Sequence, residues 1–369
     1  MSYHPRNFAR DERGSAIVYA MILLIGFLAL ALAGLGSARS DLNVSRNYSS
    51  GAQALLSAES GLLHAQKVLS DSGVVRFNVD VVPYWSTIFA SGPVAVPGYP
   101  SLTYTVTASN DPVNPTRFML LAAEGTAPNE SRRTVEARLA LAGAFTPGAI
   151  YLPDPNVSSR FNGNSFLVDG NNHTIDGTVI PNQQVPGIAT STAAAATAVA
   201  DELNPVQKNN VIGLGGIESV LPAGGPDVAR IRDEIVPLII GQQGIAINPN
   251  LHGNDVFGTI GAPQITYFTN DATLNGTIDG AGILVVDGGL TITGNLRFVG
   301  LVIVRGSTDI TSVSGNSILL GALWTTDLRL QVGGSASVNY SLDALNLVMN
   351  IGTGNLLPQR VRAVAWRQF

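Results

Sequence analysis

Cysteine is absent from all 369 residues. That removes disulfides, thiolate nucleophiles and thiolate metal ligands, and leaves the compartment undecided. Charge is scarce too: 13% of residues are charged and the net balance is -5. No block of Lys and Arg occurs beyond the opening segment, so nucleic acid, which needs clustered cations, is not an expected partner. The four histidines, His4, His64, His173 and His252, include no H-x-x-x-H pair, which argues against a histidine metal site. G-x-S-x-G, Walker A and H-E-x-x-H patterns are also missing, and with them the recognisable nucleophilic, phosphate-binding and zinc-protease mechanisms. What is plentiful is glycine, 40 residues, well above average usage.

The long uncharged run from Gly14 to Ala38 is the strongest local signal. About 24 residues, Ser15 to Ala38, make a helix of roughly 36 Å, enough to cross a bilayer core. Arg6, Arg10 and Arg13 precede the run and Arg39 and Arg46 follow it, which favours a cytoplasmic N-terminus. A cleavable signal peptide is one alternative, with Ala29-Leu30-Ala31 or Ala31-Leu32-Ala33 as its small-residue site. The helical pattern does not stop at the end of the run, however. Leu55, Leu62 and Leu69 recur every seventh residue, with Leu56 and Leu63 in the adjacent column, and the pattern ends at "SDSG", Ser70 to Gly73. Span and amphipathic half together predict one helix of about 55 residues, on the order of 80 Å.

A charged leader ending in Arg13-Gly14, then "SAIVYAMILLIGFLALALAGLGSA", then "LLSAESGLLHAQKVL" resembles the N-terminus of type IV pilins. Among them it is most similar to PilX-type minor pilins, where a stretch like Ala58-Glu59-Ser60-Gly61 is usual. The resemblance implies cleavage by prepilin peptidase between Gly14 and Ser15, N-methylation of the new terminus, and retention of the apolar helix. It implies single-pass insertion in the inner membrane with the N-terminus inside, then passage to the periplasm or a cell-surface pilus. The implied partners are prepilin peptidase, other pilin subunits and the pilus assembly machinery, with no cofactor and no enzymatic activity. Shaft-forming pilins carry a glutamate five residues into the mature chain; here that position is Tyr19, which points to an initiating or tip subunit.

Beyond Gly73 the pattern alternates. "LTYTVTASN" (102–110), "RFMLLAAEGTA" (117–127) and "RRTVEARLALA" (132–142) predict an antiparallel meander, expected to cover Leu55, Leu56, Leu62 and Leu63. "FTPGAIYLPDPN" (145–156) is a plausible boundary. "STAAAATAVADEL" and the stripe Val228, Ile231, Ile235 predict helices, the second interrupted near Pro237. "NNVIGLGGIESV" reads as a turn, since no lysine follows its glycines. The C-terminal third repeats: stretches led by Gly282, Gly300 and Gly321 each give an apolar strand, a corner and a second strand. A period near 20 residues predicts a β-solenoid. The segments 162–177 and 271–280 are candidate further coils.

The expected fold class is therefore α+β. A leader (1–14) precedes a helix (15–73, with 15–38 transmembrane), a meander (74–145) and a solenoid domain (146–369) with helical insertions at about 191–240. Few residues suggest chemistry. Asp287 and Arg305 should stack at matching corners, with Thr326 in the third copy, so the carboxylate cluster of sugar-cleaving solenoids is missing. Asp169, Asn171 and Asp176 suit an Asx-stabilised turn better than a calcium loop. Glu59 sits inside the leucine stripe and needs either solvent or a cation, from Arg132, Arg133, Arg138 or a neighbouring subunit. The rival class is a membrane- or signal-borne solenoid that binds or cleaves polysaccharide, and a polysaccharide or other surface ligand is a possible partner of the solenoid under either reading.

Overall fold

The computed structural model describes residues 13–74, 77, 92–114, 118–242, 245–246, 250–310, 315–331, 334–349, 351–352 and 356–368. The leader, apart from Arg13 and Gly14, lies outside them. A single helix, α1 (Arg13–Ser72, 60 residues), runs through both the apolar span and the amphipathic half. It ends where the sequence placed its stop: Gly73 takes φ +67, the left-handed conformation that closes helices. Arg230 Nη1 donates to the Ser72 carbonyl at 2.7 Å and so caps the last turn.

The meander forms as expected from its alternating pattern. β1 (Val94–Val96), β2 (Tyr99–Asn110), β3 (Phe118–Thr126) and β4 (Arg132–Ala144) pair antiparallel in sequence order. Their inward side chains, among them Tyr104, Val106, Met119, Leu121 and Leu139, pack on the second half of α1. The helix face they meet is not the leucine stripe. The buried positions are Gly51, Ala54, Ser57, Ala58, Gly61, Ala65 and Leu69, while Leu56 and Leu63 are 58% and 67% exposed. Leu55 and Leu62 are half-buried at the flanks. The sheet supplies the bulk, so the helix must supply the space. A Cβ on Gly61 would lie 2.7 Å from the Tyr104 ring, and one on Gly125 would lie 2.1 Å from the Ala54 carbonyl oxygen.

The remaining strands are β5 (Ile150–Leu152), β6 (Ser159–Asn162), β7 (Phe166–Asp169), β8 (Asn171–His173), β9 (Val179–Gln184), β10 (Ile188–Thr190), β11 (Val211–Gly213), β12 (Gly216–Ile217) and β13 (Val220–Pro222). They continue as β14 (Ile245–Ala246), β15 (Asn250–Phe257), β16 (Gln264–Phe268), β17 (Ala272–Val286), β18 (Leu290–Ile292), β19 (Asn295–Ile310), β20 (Asn316–Gln331), β21 (Ser335–Tyr340) and β22 (Gln359–Gln368). β15 to β20 make a parallel β-solenoid of about four turns. The leading glycines are register partners, Gly282 to Gly300 and Gly300 to Gly321. The segment 271–280 falls in this stack. Of 162–177 only Asn162, at the end of β6, and β7 do, because β8 and β9 leave it as a separate hairpin.

The stacking order departs from the chain order. The coil next to β20 is a composite: β21 pairs with its first part, β5 with Leu323 and Trp324, and β6 with its last part. β7 and β10 then stack on β21 and β5, and β11 and β13 stack on those. The chain thus enters the solenoid in its interior, builds outward to one end, crosses to the other end and returns. Trp324 marks the junction. It is 1% exposed, packs edge-on to Tyr151 and donates from Nε1 to Thr146 Oγ1 at 2.9 Å. Pro147 and Pro153 therefore lie in a packed crossing, with Phe145, Ala149 and Ile150 all buried, while Pro155 is exposed.

Helices cover the outside of one solenoid flank, which explains why 281–286 and 299–304 are buried on both faces. α2 (Ala193–Asp201) starts at a Thr192 cap and α3 (Pro205–Lys208) at an Asn204–Gln207 capping box, both within the expected helical insertion. α4 comprises the contiguous turns Val228–Arg230, Ile231–Ile235 and Val236–Ile240; the middle one is a π turn, leading directly into the proline. Ile231, Ile235 and Ile239 join the solenoid core. α5 (Leu342–Val348) places Ala344 on Ala281, Val299 and Leu320. After it β22 returns to the first sheet and pairs antiparallel with β4, beside a Val74–Gln359 bridge. The segment 146–369, expected as a solenoid domain with helical insertions, also supplies the fifth strand of the meander sheet.

Candidate functional site

The largest feature without an internal purpose is the surface of α1. Its first half touches nothing: among the described residues it is the one helix long and apolar enough to cross a membrane, and its apolar window is wholly unburied. Tyr19 is 68% exposed there, so its phenol stands where the resemblance expects a carboxylate. Gly14 and Ser15 lie in the first turn of the helix. The exposure is not confined to the span. Met21, Leu28, Leu35, Leu42, Leu56 and Leu63 recur at multiples of seven, with Ser49 between Leu42 and Leu56, and each of these apolar residues is more than half exposed. In the second half the sheet packs on another face of the helix and leaves this seam, at Leu56 and Leu63, open. A seven-residue apolar repeat winds slowly around an α-helix, by about 20° per heptad, and a stripe of that kind packs against another helix by supercoiling.

Glu59 lies between the seam and the buried stripe and is half-buried. None of the meander arginines expected as its partner is available. Arg132 pairs with Glu124 at 3.1 Å. Arg133 donates to the Arg132 carbonyl and rests over Gly51. Arg138 donates to Asp111 at 2.7 Å and lies 3.9 Å from the Phe118 ring centroid. That guanidinium, followed by the Asn114 N–H, holds the Asp111 carboxyl below the usual carboxylate range. Glu59 itself has no ion pair among the described residues, so of the alternatives open in the sequence a bridge to Arg132, Arg133 or Arg138 is not made.

The solenoid candidates resolve as structural. Arg305 Nη1 reaches Asp287 Oδ1 at 2.6 Å one coil below, as the matching corner positions predict, and Tyr267 donates to the other carboxylate oxygen. Thr326, in the third copy, donates to the Gly306 carbonyl. Asp169 Oδ1 accepts the Asn171 N–H at 2.8 Å, an Asx turn, and Asp176 accepts from the Thr174 hydroxyl and the Thr178 N–H. Those bonds, the Thr174 hydroxyl's first, hold the Asp176 carboxyl below its ordinary range. No cluster of three His, Asp or Glu that could hold a metal occurs among the described residues.

No protein-family model and no curated protein matches the chain. Among solved structures, the chain is similar to the competence-associated pilin ComZ from Thermus thermophilus, with 14% identity, over 87% of this chain and 97% of that one, at a TM-score of 0.26.

Proposed function

We propose that the chain is a non-enzymatic, pilin-like subunit of the minor-pilin kind. Prepilin peptidase removes residues 1–14, the apolar helix anchors the mature chain in the inner membrane, and the subunit then enters a type IV pilus or related pseudopilus with the solenoid displayed outside. The observation that carries this reading is α1: one continuous helix, bare in its first half, and clamped to an antiparallel sheet by a small-residue face in its second. A secretion signal has no need of the second half, and an ordinary anchor has no need of a seam that runs on into the folded head.

Mass spectrometry of the mature N-terminus tests it. A chain beginning at a methylated Ser15 is expected; one beginning near Leu32 or Gly34 sinks the reading in favour of secretion. Replacing Gly14 with a bulky residue should leave the leader attached and the chain membrane-retained on a gel, because the peptidase needs close approach to the backbone there.

Glu59 is the subunit's proposed electrostatic contact with a neighbour, and Tyr19 the reason it does not build a shaft alone. Since Glu59 has no internal cation, Glu59→Ala should leave the melting free energy within about 0.5 kcal/mol of the parent, as for a surface change. Incorporation into filaments should fall. A destabilised head with normal incorporation would remove Glu59 from the interface.

A further inference from the structure

A cleft of about 370 Å³ opens where the two halves of the fold meet, and neither half forms it alone. Phe145 at the end of β4 and Arg360 at the start of β22 form the wall on the meander side, and Asn182, Gln183, Gln184 and Tyr340 form the wall on the solenoid side. Its volume falls in the range of small-molecule sites.

The polar groups along it have unmet hydrogen-bonding capacity. Arg360 is exposed, lies 5.4 Å from the Phe145 ring centroid, and pairs with no carboxylate among the described residues. Among the described residues it is the only charged one on the lining. Tyr340 is 7% exposed, and its hydroxyl has no partner among the described residues. Burial pushes that phenol up, against a weaker opposite pull from Arg360, so it keeps its proton and can donate. Asn182 is one of few non-glycine residues at positive φ (+61), and its amide is likewise unbonded among the described residues. A residue held in that conformation beside a cleft is the kind of local strain that accompanies binding sites. Gln183 accepts at Oε1 from Asn172, which leaves its amide N–H groups free to donate.

One guanidinium with no second cation suits a single negative charge, and its planar fork matches a carboxylate. Amides and a phenol both donate and accept, which suits hydroxyl groups. We propose that this cleft binds a carboxylate-bearing sugar, a uronic acid unit, with Arg360 on the carboxylate and Asn182, Gln183 and Tyr340 on the hydroxyls. The site belongs to the folded head and does not rest on the assembly role.

The test is titration of the full chain in detergent with galacturonate, followed by ligand-observed NMR, with galactose and acetate as controls. Saturable binding at about millimolar Kd is expected for galacturonate. Galactose and acetate should each bind about tenfold more weakly or worse, because each lacks one set of contacts. Arg360→Gln should weaken galacturonate binding about tenfold or more without moving the melt. Asn182→Gly, which keeps the backbone conformation available, should weaken it less. No saturation by about 10 mM overturns the proposal. So does acetate binding as well as galacturonate, galactose binding as well as galacturonate, or undiminished binding by Arg360→Gln. The mature N-terminus reports on the pilin reading independently of all these outcomes.

Discussion

Replacing Gly300 with alanine should cost the solenoid roughly 3 kcal/mol or more, from strained backbone and overpacking together. Gly282, Gly300 and Gly321 stand one above another at a corner, with φ of +140, +135 and +140. A Cβ on Gly300 would lie 2.0 Å from the Gly282 carbonyl oxygen, and one on Gly321 would lie 1.9 Å from that of Gly300. The obstruction is backbone that is itself bonded into the next coil, so no side-chain rotation relieves it. Thermal or denaturant melting of the variant measures the loss. Gly261→Ala is the control, since a Cβ there meets nothing within 4 Å, and it should stay within about 0.5 kcal/mol. If Gly300→Ala melts like the control, the glycine column is a coincidence of spacing.

Gly125→Ala should pry the helix from its sheet. The new Cβ would sit 2.1 Å from the Ala54 carbonyl oxygen and 2.3 Å from the Ala58 nitrogen, both main-chain atoms of α1. Overpacking of well-packed sites costs about 1–3 kcal/mol and sometimes more; with backbone on one side, the upper end is expected. The effect has an address. Hydrogen exchange should show lost protection over α1 from Ala54 to Ala65 and over β3, while β17 to β20 keep theirs. Loss spread evenly over both halves would mean that sheet and solenoid unfold as one unit.

The legible parts of the sequence were those with a short period. The helix, its glycine stop and the meander strands repeat or terminate within a few residues, the coil-leading glycines recur at about 20 residues, and each stands where its pattern puts it. The Asp287–Arg305 stack followed from the same repeat. Leucine content does not mark the buried helix face, because Leu56 and Leu63 are exposed. The small residues Gly51, Ala54, Ser57, Ala58, Gly61 and Ala65 recur every three to four positions and mark the close approach, and their spacing was available to be read. Glu59's expected partner failed for a different reason: Glu124 and Asp111 lie nearer to Arg132 and Arg138 in the sheet. The cleft was invisible, since Phe145, Asn182, Tyr340 and Arg360 share no local pattern and meet only through the return of β22.

The interior entry of the chain into its own solenoid sets the order in which the head can be completed. Trp324 bonds to Thr146 across 178 residues, and Arg367 to Glu136 across 231. Contacts of that separation form late and slowly, because the loop must close before any of them is made. A chain emerging with its N-terminus first would have its long helix in place while the composite coil still waited for Ser335–Tyr340 and the edge of β4 for Gln359–Gln368. β22 therefore acts as a latch, and the head locks only once Gln359–Gln368 has emerged.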